Sequence, residues 1–287
     1  MITVAPAPRS RPAVVALTAL TMAAFAANSV LCRLALSTTA IDAATFTAVR
    51  VGAGTLALWA VVRLRRGAGA TGGSWASAGA LFVYAAAFSV AYLALTTGTG
   101  ALLLFGAVQL TMIGWGLWCG ERLSARQTVG MTAALGGLVY LVLPGLEAPP
   151  LGAALAMVAS GVGWGVYSLR GRGSVQPAVD TAGNFARASV LAVVFGAVWW
   201  LFGTTALDAR GLGYAVLSGA VTSGLGYVVW YAVLPSLRAT SAATVQLSVP
   251  VLAALGGVAF VGEAVTLRLA LASVLTLGGI ALVLRAR

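Results

Sequence analysis

Residues 114–137 read GWGLWCGERLSARQTVGMTAALGG, and residues 256–279 read GGVAFVGEAVTLRLALASVLTLGG. A shift of 142 positions lays Gly114, Gly120-Glu121, Arg126 and Gly136-Gly137 on Gly256, Gly262-Glu263, Arg268 and Gly278-Gly279 without a gap. Upstream, Ala101 and Leu110 fall in the same way on Ala243 and Leu252. Each copy sets one glutamate between two long apolar runs, the pattern of a short polar turn joining two helices. Self-similarity of this length marks a repeat architecture.

Working outward, the whole chain is apolar. It has 287 residues, of which 60% are hydrophobic and only 8% charged. A soluble domain carries about 25% charged residues, so this surface is built for lipid. Within lipid the backbone must satisfy itself, which leaves helices or a closed barrel. The apolar runs are continuous and about 20 residues long, the length of a membrane helix rather than of an alternating barrel strand.

The fold expected is therefore all-α and integral to the membrane. Ten transmembrane helices fall at residues 13–36, 43–62, 75–96, 100–119, 127–143, 150–169, 180–202, 211–233, 240–260 and 266–284. Residues 1–12 form a short polar leader with Arg9 and Arg11, read as an uncleaved cytoplasmic end because no small-residue cleavage site follows. Short connections make consecutive helices antiparallel neighbours and leave no room for a soluble domain.

All 17 basic residues are arginine, and there is no histidine. Placing the N-terminus in the cytoplasm puts Arg9, Arg11, Arg63, Arg65, Arg66, Arg122, Arg126, Arg170, Arg172, Arg238, Arg285 and Arg287 inside, against Arg210 and Arg268 outside. That bias orients the chain with both termini cytoplasmic. It also explains the charge of +11 without a nucleic-acid partner, because the arginines sit in short clusters between spans rather than on one face.

Five spans per repeat is an odd number, so the second copy enters the membrane from the opposite side. Residues 1–146 and 147–287 then form two inverted five-helix repeats of one membrane domain around a central cavity. Inverted repeats are a signature of secondary transporters, whose halves exchange conformations, although channels and scaffolds also carry them.

The first halves of the repeats share a charge pattern. Arg33, Asp42 and Arg50 surround the first outside turn, and Arg172, Asp180 and Arg187 surround the corresponding inside turn. Two readings stand. Asp42 and Asp180 bridge to arginines when closed, as a pair of gates with one on each side, or the arginines are helix-end residues snorkelling to headgroups.

Spans five and ten hold almost no polar side chain beyond their ends and read as scaffold. The cavity expected from the other spans is lined by Asn28, Tyr84, Phe88, Tyr92, Gln109, Trp164, Tyr167, Asn184, Tyr227, Tyr231 and Gln246. Tyr84, Phe88 and Tyr92 fall at i, i+4 and i+8 of one helix face. Trp164 is flanked by Gly163 and Gly165, which let neighbouring backbones approach. Buried amides and phenols need a partner or a wet cavity at this depth. Interhelical packing and hydrogen-bond glue remain the alternative for the tyrosines and glutamines. Trp59, Trp75, Trp199 and Trp200 near span ends read as interfacial anchors, and Cys32 and Cys119 as small buried hydrophobes. Pro250 lies mid-span and reads as a hinge.

Gly120-Glu121-Arg122-Leu123 and Gly262-Glu263-Ala264-Val265-Thr266, each followed by its glycine pair, resemble the drug/metabolite transporter superfamily, in its EamA-type members. The likeness covers nearly the whole chain. The aromatic third, sixth and eighth spans look most like the YddG group of aromatic amino-acid exporters. The first repeat departs from the second in having Val108 where the second has Pro250. The resemblance implies export of amino acids or related metabolites from the cytoplasm across a bacterial inner membrane, through a cavity formed by spans one to four and six to nine. Export of drugs, nucleotide sugars or organophosphates is the alternative within that class, with Arg50 and Arg187 as its cationic groups. A non-transporting membrane scaffold is the alternative from another class.

No nucleophile–base pair, metal-ligand set or phosphate loop is present, so neither an enzyme nor a bound cofactor or metal is expected. The partners expected are a small-molecule substrate and membrane lipid, with the chain a monomer or homodimer. No Asp or Glu falls near the middle of a span, which argues for facilitated transport over carboxylate-mediated proton antiport.

Overall fold

Both Gly-Glu turns are built on a glycine in the left-handed region, Gly120 at φ 92° and Gly262 at φ 75°. An L side chain is strained there, so glycine is what lets each chain reverse tightly enough to start the next helix. The computed structural model describes residues 10–285, apart from residues 67–71, 146, 173, 204 and 238. The leader up to Arg9, and the Arg238 and Arg287 of the charge bias, lie outside the described residues.

Every regular element among the described residues is helical. The first seven are α1 (Arg11–Thr38), α2 (Ala43–Arg66), α3 (Trp75–Tyr92), α4 (Thr97–Trp118), α5 (Ala125–Val142), α6 (Leu151–Gly171) and α7 (Pro177–Phe202). The eighth apolar stretch is composite: α8 (Ala209–Val216), a π-helical segment (Leu217–Leu225), α9 (Gly226–Val233) and a 3-10 turn (Leu234–Ser236). The ninth is also interrupted, as α10 (Ala239–Gln246), α11 (Ser248–Gly256) and a second π segment (Gly257–Val261). The chain closes on α12 (Leu267–Arg285).

Nine stretches among the described residues are long and apolar enough to cross a membrane. The helix short of that mark is α5, whose first turn carries Arg126 and Gln127 and dilutes an 18-residue helix. Its start is well specified. Ser124 Oγ accepts from Gln127 N, and Gln127 Oε1 accepts from Ser124 N at 2.9 Å, closing a capping box. Its other end is tied to α12, since Arg268 Nη1 donates to Leu143 O at 2.5 Å. The two helices pack along their length. A Cβ on Gly279 would lie 2.4 Å from Gly130 O, so backbone meets backbone there.

The remaining pairings surround a buried centre. Helix α2 packs on α7, α4 on α11, and α3 on both α6 and α7. Helix α6 also packs on α4, while α1 packs on α11 and on α8, the first π segment and α9 of the eighth stretch. One expectation is corrected here. Cys32 is buried, but Cys119 caps the end of α4 and is exposed, because the helix stops one residue earlier at the Gly-Glu turn.

Candidate functional site

The face at which α1 begins, here the near face, also holds the starts of α3 and α7 and the end of α6, by the short connections between them. The far face holds the end of α1 and the starts of α2, α4 and α8.

Between the two faces lies a small chamber of about 20 Å³, lined by Phe25, Asn28, Ser29, Tyr84, Phe88 and Leu104, and by Phe105, Trp164, Thr222, Ser223 and Tyr227. Helix α6 reaches it because its glycines let two partners close in. A Cβ on Gly161 would sit 2.6 Å from Leu104 O of α4, and one on Gly163 would sit 2.9 Å from Ala80 O of α3. Trp164 thus stands between α3 and the eighth stretch, with its ring 5.0 Å from Tyr84 and stacked at 5.0 Å on Tyr227.

A buried polar network runs behind these rings. Asn28 Nδ2 donates to Tyr84 Oη at 3.2 Å, and Arg50 Nη2 donates to the same oxygen at 2.7 Å. Ser218 Oγ donates to Asn28 Oδ1 at 2.7 Å, and Thr222 Oγ1 lies 3.1 Å from that acceptor. Ser218, Thr222 and Ser223 all belong to the π segment. Sequence reading passed over them. Two Ser-Gly pairs, Ser218-Gly219 and Ser223-Gly224, fall within that segment. Gly219 is pressed against α2, where a Cβ would lie 2.0 Å from Arg50 O.

Toward the near face a larger cavity of about 260 Å³ opens, with Ser74, Ser77, Tyr167, Arg170, Asp180, Thr181, Asn184 and Tyr231 in its wall. The Trp164 and Tyr167 rings, 5.5 Å apart, separate this vestibule from the chamber.

The sequence-predicted residues are thus distributed. Asn28, Tyr84, Phe88, Trp164 and Tyr227 line the chamber, and Tyr167, Asn184 and Tyr231 line the vestibule. Tyr92 packs edge-on against Phe88 and donates to Thr97 O, closing the stripe toward the far face. Gln109 is buried on α4, and Gln246 is half-buried at the end of α10, neither in the wall of the chamber or the vestibule. Pro250 is buried in α11, three residues after the break at Leu247.

Neither Asp42 nor Asp180 reaches an arginine among the described residues. Asp42 caps α2 by accepting from Ala44 N and Thr45 N, and it also accepts from Ala206 N at 3.1 Å. Asp180 accepts from Gly73 N at 3.0 Å and from Ser174 Oγ. The reason is local: each aspartate sits in or just before a first helical turn, where free backbone N–H groups of its own helix or of a facing loop outcompete a distant guanidinium. Arg33 pairs instead with Glu263 at 3.0 Å, while Glu263 Oε2 accepts from Thr97 N at 2.7 Å. Arg187 Nη1 donates to Gly72 O at 2.8 Å, and Ser74 N donates to Asn184 Oδ1 at 2.8 Å. Arg172 is exposed beyond α6. On the far face, Ala40 N donates to Asp208 at 2.7 Å. The N–H of Gly211, helped by that of Ala40, holds the Asp208 carboxyl below the usual carboxylate range.

Among the described residues no three His, Cys, Asp or Glu side chains gather as a metal site would require. What the arrangement provides is a small, mostly aromatic chamber with a few fixed polar groups, the usual lining of a small-molecule site.

The EamA-like transporter family matches residues 151–285. An uncharacterized protein of Pseudomonas aeruginosa is 55% identical over 272 residues, covering 94% of both chains. A solved protein crystal structure aligns with a TM-score of 0.66 at 22% identity, over 96% of this chain and 98% of that one, a likeness of fold alone. Its apolar helices and the match over its second half give the chain an EamA-like transporter family domain, the mark of a multi-pass membrane transporter of the drug/metabolite type.

Proposed function

We propose that the chain exports amino acids with aromatic or other apolar side chains, or related metabolites, from the cytoplasm by alternating access. The chamber carries this reading: rings on nearly every side, and Asn28, Ser29, Thr222 and Ser223 as its polar groups. A scaffold gains nothing from polar side chains at that depth.

The architecture proposed is ten spans, α5 included, in two inverted five-helix repeats, residues 1–146 and 147–287. Matched helix pairings support it. The pairing of α3 with α6 answers that of α1 with the eighth stretch, and α4 with α6 answers α1 with α11. The contacts α2–α7, α4–α11 and α5–α12 each join a helix to its own repeat mate. A two-fold axis in the membrane plane produces this set.

In the inner membrane the near face is cytoplasmic, as are both termini, following the arginine bias. The vestibule is then the loading side. The far-face contacts of Arg33 with Glu263 and of Asp42 with Ala206 form one gate. Those of Asp180, Asn184 and Arg187 with residues 72–74 form the other, beside Arg172. The break before Pro250 is the hinge between α10 and α11. All six carboxylates lie in turns or first helical turns, so transport is gradient-driven rather than proton-exchanging.

The test is a liposome screen across the amino acids, with and without a pH gradient, repeated with Trp164→Ala. Phenylalanine, tryptophan or leucine should move without a pH gradient, and several-fold more slowly in the variant. If no amino acid moves, the drug, nucleotide-sugar or organophosphate reading takes over. Strict dependence on a pH gradient would overturn the facilitated mechanism.

A further inference from the structure

Arg50 is the strangest residue in the molecule. It lies within α2, is 2% exposed, and has no carboxylate near it. The titratable groups close enough to act on it are Tyr84, Cys32 and Tyr227. Its guanidinium sits 5.1 Å from the Tyr84 ring centre and 4.7 Å from that of Phe88. One nitrogen, Nη2, donates to Tyr84 Oη, and the other, Nη1, has no hydrogen-bond partner. A buried cation without a counter-ion is strongly disfavoured, and two ring faces repay little of the loss.

The position of this orphan nitrogen matters. Both rings under the guanidinium line the chamber, as does the phenol it bonds. A second orphan polar atom belongs to the same chamber: Ser223 Oγ, 2% exposed, in its wall and also without a partner. The other two orphan hydroxyls lie elsewhere, Thr97 at the far-face end of α4 and Thr276 against Gly137 in the α5–α12 contact. Asn28 is partly committed, since one amide N–H donates to Tyr84 and its oxygen accepts from Ser218, which leaves its second N–H toward the chamber.

We infer that Arg50 anchors the carboxylate of a transported ligand through Nη1, with Ser223 Oγ accepting from the ligand's ammonium group. The inference deepens the export reading and rests on it for the word transported; the binding site stands without it. The charge on offer selects the class. One free guanidinium edge balances a monoanion, while Arg33 is committed to Glu263 and Arg187 to the carbonyls of Gly72 and Gly183. A phosphate dianion would need a second cation. The surrounding rings ask for an aromatic or branched apolar body. At about 20 Å³ the chamber has room for roughly one water. The ligand therefore enters by displacing the Trp164–Tyr167 partition, which joins the chamber to the 260 Å³ vestibule.

The experiment is a titration of the purified full chain in detergent, read by intrinsic tryptophan fluorescence and thermal shift. The probes are 3-phenylpropanoate, its neutral amide, phenylalanine and inorganic phosphate. Wild type should bind the carboxylate about tenfold or more tightly than the amide, as a charge-assisted bond requires. Arg50→Gln should erase that preference by losing the carboxylate, and Arg50→Lys should keep it with weaker binding. Ser223→Ala should leave phenylpropanoate binding unchanged and weaken phenylalanine. Equal binding of amide and carboxylate by wild type overturns the anchor, as does a preference that survives Arg50→Gln. Phosphate binding tighter than carboxylate overturns the ligand class. Should Arg50→Gln fail to fold, the wild-type ligand pair and Arg50→Lys decide. A chain that binds phenylpropanoate through Arg50 but moves no amino acid into liposomes breaks the export reading alone. One in which Arg50→Gln still transports phenylalanine at the wild-type rate breaks the anchor alone.

Discussion

The two copies of the duplicated segment begin differently and end alike. In the first, residues 97–118 form one unbroken helix, α4, much of it buried. In the second, the same stretch is divided into α10, a turn at Leu247, α11 and a π segment. The sequence difference is Val108 against Pro250, since proline has no N–H to give Gln246 O and its ring crowds the preceding turn. The glutamates that follow also part company. Glu263 is held by Arg33 and Thr97 with its side chain 11% exposed, whereas Glu121 lies exposed in its turn. Beyond the turns, α5 and α12 are continuous and packed on each other. The two copies thus share the packed helix after the turn and differ in the helix before it, unbroken where it lines the chamber and interrupted in the second copy.

The common framework is the easiest part of this comparison to break. In each glycine pair the second member is packed and the first is free. A Cβ on Gly137 would lie 2.4 Å from Thr276 Oγ1, and one on Gly279 equally close to Gly130 O, while Gly136 and Gly278 have nothing within 4 Å. Gly279→Leu should therefore destabilise by about 3 kcal/mol or more, because backbone cannot yield as a side chain does. Gly278→Ala should be neutral or stabilising by up to about 1 kcal/mol through helix propensity. Size-exclusion profiles after graded heating in detergent measure both. A tolerated Gly279→Leu would mean that α5 and α12 are not the shared scaffold.

Exchanging the residues that differ sharpens the contrast next. Val108→Pro should cost about 3 kcal/mol, since it removes a helical bond from a fully buried position. Pro250→Ala should alter stability by only about 1 kcal/mol while slowing transport, because it mends the break at Leu247. Thermal unfolding and initial transport rates separate these effects. A Pro250→Ala variant at full speed would remove the hinge.

These pairs also show what a sequence makes legible. The positions of the helices followed from length and hydropathy, because lipid imposes one solution on any apolar run. The rings of α3, α6 and the eighth stretch meet because their spacing sets them on facing sides of those helices, an arrangement that serves packing as well as a cavity wall. Gln109 and Gln246 were not separable from them, since an amide suits an interhelical contact as well as a cavity wall. The π segment is not legible because a hydropathy pattern cannot report about one extra residue per turn. The partners of Asp42, Asp180 and Glu263 are not legible for a different reason. Sequence brings aspartate and arginine near each other along the chain, whereas hydrogen bonds join groups from distant segments: Glu263 meets Arg33 across 230 positions.

The subtlest contrast concerns the two glutamates themselves. Glu263→Gln removes the charge that holds Arg33 Nε and weakens the acceptor for Thr97 N, at a cost on the order of 1 kcal/mol for a partly buried pair. That is too little to unfold the chain but enough to raise the population of an open far face. Cys32 reports it, being fully buried beside Arg33 on the helix that this pair restrains. In a Cys119→Ser background, a membrane-impermeant maleimide should label Cys32 slowly. Labelling should become several-fold faster in Glu263→Gln and stay unchanged in Glu121→Gln, where the glutamate lies exposed at the opposite face. Equal rates in the two variants would mean that the far-face ion pair is a decoration of the turn rather than a gate. The duplicated glutamates would then differ in exposure without differing in function.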